Sequence, residues 1–418
     1  WRWMNGLATK ESITRDLEEF KNKGIGGILL MDSGNSGKEV MKNPPHGPSF
    51  LSAEWIGLYQ HAVKEAERLG LEMSLNATTG WNPGGPFITP EYALKKLVFS
   101  EVEAEGGKLV RMILPKPDTT LIYRDICVQA LKNQRISSPT KDRIIRNWSL
   151  KSNNQFFGSG GNYPLYKLRE YLDASEDAPG IQQSEILDIT KFFDGNQLNW
   201  DAPDGHWLII RYGWTCKGTK TSTTSGNWGG LSLDHLDPRA FGLFKAHILL
   251  PLIESAQSVS NGLKFLFTDS WEMGTVNWTN EFPSYFRKFR GYDIHKYLPV
   301  LTGRIVENRE ISNRFLHDFR RTVSDCVAEN HYRLFSDLAH EHGLGFHPES
   351  GGPHAAPIDA LQVMGINDFP TGEFWVRSTT HRVSDFERYF VKQAASVAHT
   401  CGVRIVGAES LTSLVTQW

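Results

Sequence analysis

Leu263-Lys-Phe-Leu-Phe-Thr-Asp-Ser-Trp-Glu272 is an apolar run that stops abruptly in a polar, acidic end. A parallel strand covered on both faces reads as such a short hydrophobic run, and its polar residues gather where it emerges. In a β/α barrel the emerging end carries the chemistry. A carboxylate beside an indole there suits a sugar ring. Trp271 offers an apolar face, and Glu272 can move a proton.

Upstream, residues 1–5, 25–32 and 71–78 read as strands, with helices at 12–21 and 53–69 that end at Gly24 and Gly70. Alternating strands and helices imply parallel pairing through right-handed crossovers. The rhythm breaks from about residue 97 to 214. Short alternating runs at 108–114, 125–131 and 206–212, separated by turn-rich spacers, predict an inserted antiparallel β domain of sandwich type. After residue 215 the first rhythm resumes, with strands expected at 230–237, 263–268, 344–350, 360–368 and 403–410 and helices between them. The fold class expected is therefore α/β, a (β/α)8 TIM-type barrel whose two parts, 1–96 and 216–418, flank an inserted β-rich domain at 97–215. The pattern lacks a closing helix after its last strand and an initiator Met before Trp1, so a chain cut at both ends, its catalytic barrel truncated at the C-terminus, is the expectation.

Composition excludes several classes of partner. The chain has 418 residues, 40% of them hydrophobic and 22% charged, as in ordinary soluble proteins. A formal net charge of -2 gives no electrostatic footprint for nucleic acid or an anionic membrane. Cys127, Cys216, Cys326 and Cys401 lie far apart, which excludes a zinc ribbon or a disulfide-dense scaffold. No stretch is long and apolar enough for a transmembrane helix.

Acids recur where the expected strands end: Asp32, Asp234, Asp269 with Glu272, Glu349, Asp368 with Glu373, and Glu409. Any one of them could cap a helix or sit in a surface ion pair. Gathered at one barrel mouth they would repel one another, so the set needs a chemical reason. Two carboxyls facing a glycosidic bond can protonate the departing oxygen and activate water, and a further acid can bind a hard cation such as Ca²⁺. The same acids would serve a divalent-metal-dependent barrel lyase. Trp81, Trp271 and Trp375 favour the sugar reading, although core packing explains each of them equally well alone. His347 and His354 flank Glu349 within reach of ligand hydroxyls or as structural groups. His340-Glu-His342 sets its histidines on different helix faces, which argues against a metal pair. No phosphate loop and no Gly-x-Ser-x-Gly elbow is present.

The ordered motifs Trp3-Met-Asn-Gly6, Gly80-Trp-Asn-Pro-Gly-Gly-Pro86, Leu233-Asp-His-Leu-Asp237, Asp269-Ser-Trp-Glu272, Arg290-Gly-Tyr-Asp293, Gly372-Glu-Phe-Trp375 and Val406-Gly-Ala-Glu409 span most of the chain. In this it resembles the catalytic portion of glycoside hydrolase family 106, the α-L-rhamnosidases. The resemblance implies a periplasmic or extracellular inverting hydrolase that removes terminal α-L-rhamnose from oligo- or polysaccharides. By motif, Glu272 is the general acid and Glu373, ahead of Glu409, the group that activates water. Trp81, Asn82, Asp234, His235, Asp269, Trp271, His347 and Trp375 are expected around the substrate, with Glu349 and Asp368 as candidate ligands of a calcium ion. A non-catalytic glycan-binding scaffold is the alternative from another class.

Overall fold

A computed structural model of the chain describes residues 1–34, 45–117, 121–136, 145, 148–153, 180–271, 273–274, 276–351, 358–375 and 389–412, without the side chains of Leu150, Trp375, Tyr389, Phe390 and Thr412. Strand β1 (Arg2–Met4) is followed by helix α1 (Lys10–Asn22), β2 (Gly27–Ser33), helix α2 (Ala53–Leu69) and β3 (Glu72–Thr79). Thr9 and Ser12 cap the start of α1 reciprocally, and Ser52 caps α2. Gly70 closes α2 at φ 61°, a left-handed position that suits a residue without Cβ. Trp3, Ile13, Leu17, Trp55, Tyr59 and Val63 fill the layer between these helices and the strands.

The next elements are the short β4 (Gly84–Gly85), then β5 (Lys95–Glu105), β6 (Lys108–Ile113), β7 (Tyr123–Lys132), β8 (Ile186–Asp188), β9 (Gln197–Ala202) and β10 (His206–Cys216). Strands β5, β10, β7 and β8 form a four-stranded antiparallel sheet, and β6 pairs with β9 alone. Side-chain alternation gives the larger sheet two apolar faces. Leu208, Ile210 and Tyr212 join the main core, whereas Ile209, Val128 and Ala130 pack with Val110, Leu198 and Trp200 of the β6–β9 pair. The antiparallel character expected for this region is present. Among the described residues the strands make one sheet and a separate pair, so a full sandwich is not seen.

Strands β11 (Leu231–Ser232), β12 (Leu263–Phe267), β13 (Gly345–Phe346), β14 (Thr371–Trp375) and β15 (Gly407–Thr412) complete the set. One five-stranded parallel sheet runs in the order β1-β2-β3-β12-β13, and β14 pairs in parallel with β15. These two sheets are separate, so the mixed α/β architecture stands while a closed eight-stranded barrel is not seen among the described residues. No helix there is long and apolar enough to cross a membrane.

Two expected strands differ in detail. Within residues 230–237 only β11 is extended, because Asp237 already caps the helix Pro238–Phe244, and β11 pairs antiparallel with β4. Residues 360–368 begin as a helix, Ala360–Met364, whose N-cap Asp359 accepts from the Leu361 and Gln362 amides. The strand in this region is β14, which places Glu373 within a strand instead of beyond one.

Candidate active site

The buried parallel strands aim several acids into one space. Leu266 and Phe267 lie inside the core, and the chain then turns polar at Thr268 and Asp269. Pairing with β13 continues past the short strand: the His347 amide donates to the Leu266 carbonyl (3.1 Å) and the Glu349 amide to that of Thr268 (3.1 Å). This register sets Glu349 beside Asp269. Strands β14 and β15 match Glu373 with Glu409, so their side chains leave the same face.

Carboxylate oxygens of Asp269, Glu349 and Glu409 all lie within 4.8 Å of one another. A cavity of about 540 Å³ is lined by these three together with Arg2, Phe267, His347 and Thr371. Glu349 is buried, and burial first, then the charges of Asp269, Glu409 and Glu373, drive its pKa well above the ordinary carboxylate range. Its carboxyl hydrogen-bonds that of Glu409, which requires a proton between them, and its Oε2 atom is buried with no hydrogen-bond partner. Glu373, 4% exposed, contributes to the same field.

His347 lines the cavity below the acids. Its Nε2 meets the Ser74 hydroxyl (2.8 Å), its ring stacks on Phe369, and its Nδ1 is buried without a partner. Desolvation lowers its pKa to about 4, so the imidazole is neutral at pH 7. Ser74 and Arg2 were not anticipated from sequence. The period-two alternation of Trp1-Arg-Trp3 carries the signal for Arg2, since a buried Trp3 directs its neighbour to the opposite face. The Arg2 guanidinium lies 4.8 Å from the Trp81 ring centroid and links that loop to the cavity. Gly80, at φ 77°, lets the loop touch the 222–225 segment: an added Cβ would sit 2.1 Å from the Ser222 carbonyl oxygen.

Other expected site residues lie elsewhere. Asn82 is buried and accepts from the Ser222 hydroxyl. Trp271 is buried, its indole N–H donating to the Gly274 carbonyl (2.6 Å). His235 packs between Trp271 and His331 and is held neutral by burial, its pKa lowered to about 4. Asp368 accepts from the Phe346 amide (2.6 Å) and pairs with His340, outside the cluster of three acids. Glu272, the side chain of Trp375 and His354 lie outside the described residues.

Asp234 is part of the frame. Its carboxylate meets Lys95 Nζ at 2.8 Å with both side chains fully buried, and Thr279 donates to it (2.8 Å). Burial pushes its pKa up while Lys95 pulls it back. The pair fastens β5 of the antiparallel sheet to the segment after β11. Lys95→Met leaves a buried carboxylate without a counter-charge, so it is expected to cost about 3–5 kcal/mol in urea unfolding. The double variant with Asp234→Asn should recover part of that loss.

A family model described as alpha-L-rhamnosidase matches residues 1–148 and 123–418. A protein of Formosa agariphila named "Putative beta-glucuronidase" is 35% identical over 419 residues, which is 99% of this chain and 34% of that protein. The solved structure of a rhamnosidase from Novosphingobium sp. PP1Y superposes with a TM-score of 0.84 at 24% identity, covering 100% of this chain and 52% of its own. That likeness establishes a shared fold. The chain thus spans about a third of one relative and half of the other.

Proposed function

We propose, because this chain belongs to the alpha-L-rhamnosidase family, that it forms the catalytic part of an inverting glycoside hydrolase acting on terminal α-L-rhamnose. The observation that carries this reading is the meeting of Asp269, Glu349 and Glu409 in one cavity, with Glu373 in register beside Glu409. Glu373 takes a proton from water as the water oxygen attacks the anomeric carbon. The glycosidic bond breaks, and Glu272 protonates the departing oxygen. Direct displacement inverts the anomeric centre, so the first sugar released is the β anomer. It requires the two carboxyls to stand about 6.5–9.5 Å apart, leaving room for the water.

The residues present suit a calcium ion. Two oxygens bound to one Ca²⁺ at about 2.3–2.6 Å can be no more than about 5 Å apart, a spacing Asp269, Glu349 and Glu409 meet. The orphaned Glu349 Oε2 lacks a partner that a cation would provide. Such an ion would supply positive charge that lets Glu349 ionise and would orient sugar hydroxyls. Asp269, Glu349 and Glu409 would hold it, and Glu373 would act on water.

The name of the Formosa agariphila relative favours a second reading, a β-glucuronide as substrate for the same acids. Proton NMR of the reaction at short times separates the possibilities. Aryl α-L-rhamnoside yielding β-L-rhamnose first is the expected result. Release of the α anomer would overturn inversion, turnover of aryl β-glucuronide alone would favour the second reading, and an unsaturated product would indicate a lyase.

A further inference from the structure

A second cavity, of about 290 Å³, is lined by Asn153, His317, Arg320, Arg321 and Asp359 among others. Arg320, on the helix Arg309–Val327, donates from Nη1 to the Lys151 carbonyl (2.8 Å) and makes no ion pair among the described residues. Burial alone lowers its pKa, with no acid acting in the other direction. The neighbouring acids are already engaged. Asp359 and Asp325 pair with Arg321, and Asp318 accepts from Tyr292. Asn153 Nδ2 is buried with no acceptor, although the residue lines the same cavity. A half-buried guanidinium with no counter-ion and a buried amide N–H with no acceptor are costly unless something fills their demand. A planar fork of N–H donors matches the oxygens of a carboxylate or sulfate.

The cavity borders the segments that leave the acid cluster. Asn277, after Asp269, donates to the Ser152 carbonyl (3.0 Å). Ile358 lies against Gly351, where an added Cβ would be 3.6 Å from Ile358 Cδ1. We propose that this cavity binds an oxyanion, the carboxylate or sulfate ester of an acidic sugar residue in the same glycan as the residue cleaved. The saccharide context rests on the glycosidase reading, whereas the oxyanion site does not.

The test is calorimetric titration of the protein at constant ionic strength with methyl glucuronoside, a sugar sulfate, methyl glucoside and inorganic sulfate, each read without turnover. Saturable binding of the glucuronoside or the sugar sulfate, absent for the neutral glucoside and weakened at least about tenfold by Arg320→Met, is expected. The tighter of the two ligands identifies the anion carried by the glycan. Asn153→Asp places a carboxylate in the cavity and should weaken binding equally, which keeps the test decisive if Arg320→Met fails to fold. No saturable binding by the unaltered protein, or unchanged affinity in both variants, would overturn the proposal. Binding of inorganic sulfate alone would overturn the saccharide assignment. Inactivity toward aryl rhamnosides would defeat the catalytic reading and leave the binding result standing.

Discussion

Glu272→Gln is expected to slow hydrolysis of a natural or alkyl α-L-rhamnoside by about 10²–10⁴-fold, the usual contribution of a positioned acid. The loss should depend on the leaving group. A nitrophenolate departs without much help from a proton, so the same variant should lose far less rate on nitrophenyl rhamnoside. Glu373→Gln, in contrast, should slow both substrates to a similar extent, because activating water matters whichever group departs. Steady-state kcat on the two substrates checks both statements. A Glu272→Gln enzyme with near-full activity on the alkyl glycoside would remove this residue from the acid role.

Chelation should have the second large effect. With Ca²⁺ at about 100 times its dissociation constant, binding contributes about 2.7 kcal/mol to the folded state. EDTA should therefore lower the thermal midpoint and cut activity at least about tenfold, with recovery on adding Ca²⁺. Glu349→Gln removes a ligand charge while keeping the shape of the side chain. Its melting curve should respond little to either EDTA or Ca²⁺. A wild-type midpoint indifferent to both reagents would count against calcium at Asp269, Glu349 and Glu409.

Much of the architecture is legible in the sequence because its signals are local. The apolar run before Asp269 ends where the buried strand does, and Gly70 closes α2 as its left-handed geometry demands. The segment 360–368, expected as a strand, was harder to place. Leu361, Val363 and Met364 fit a helix or a strand equally well over so short a span, and only the Asp359 cap decides it. The acid cluster was partly legible. Strand ends indicate which acids could meet, but register decides which of them do. Asp269, Glu349 and Glu409 converge, while a buried lysine more than a hundred positions away claims Asp234 and a backbone amide with His340 claims Asp368. Contacts of such sequence separation leave no trace in local pattern.

The alignment of Glu373 with Glu409 across β14 and β15 also has a bearing on synthesis. Of the described strands, β15 is the last to leave the ribosome, and it carries one wall of the acid-lined space. A nascent chain can complete its α1 and α2 layers long before Glu409 has been added. The acid-lined space therefore takes shape only once β15 has paired with β14.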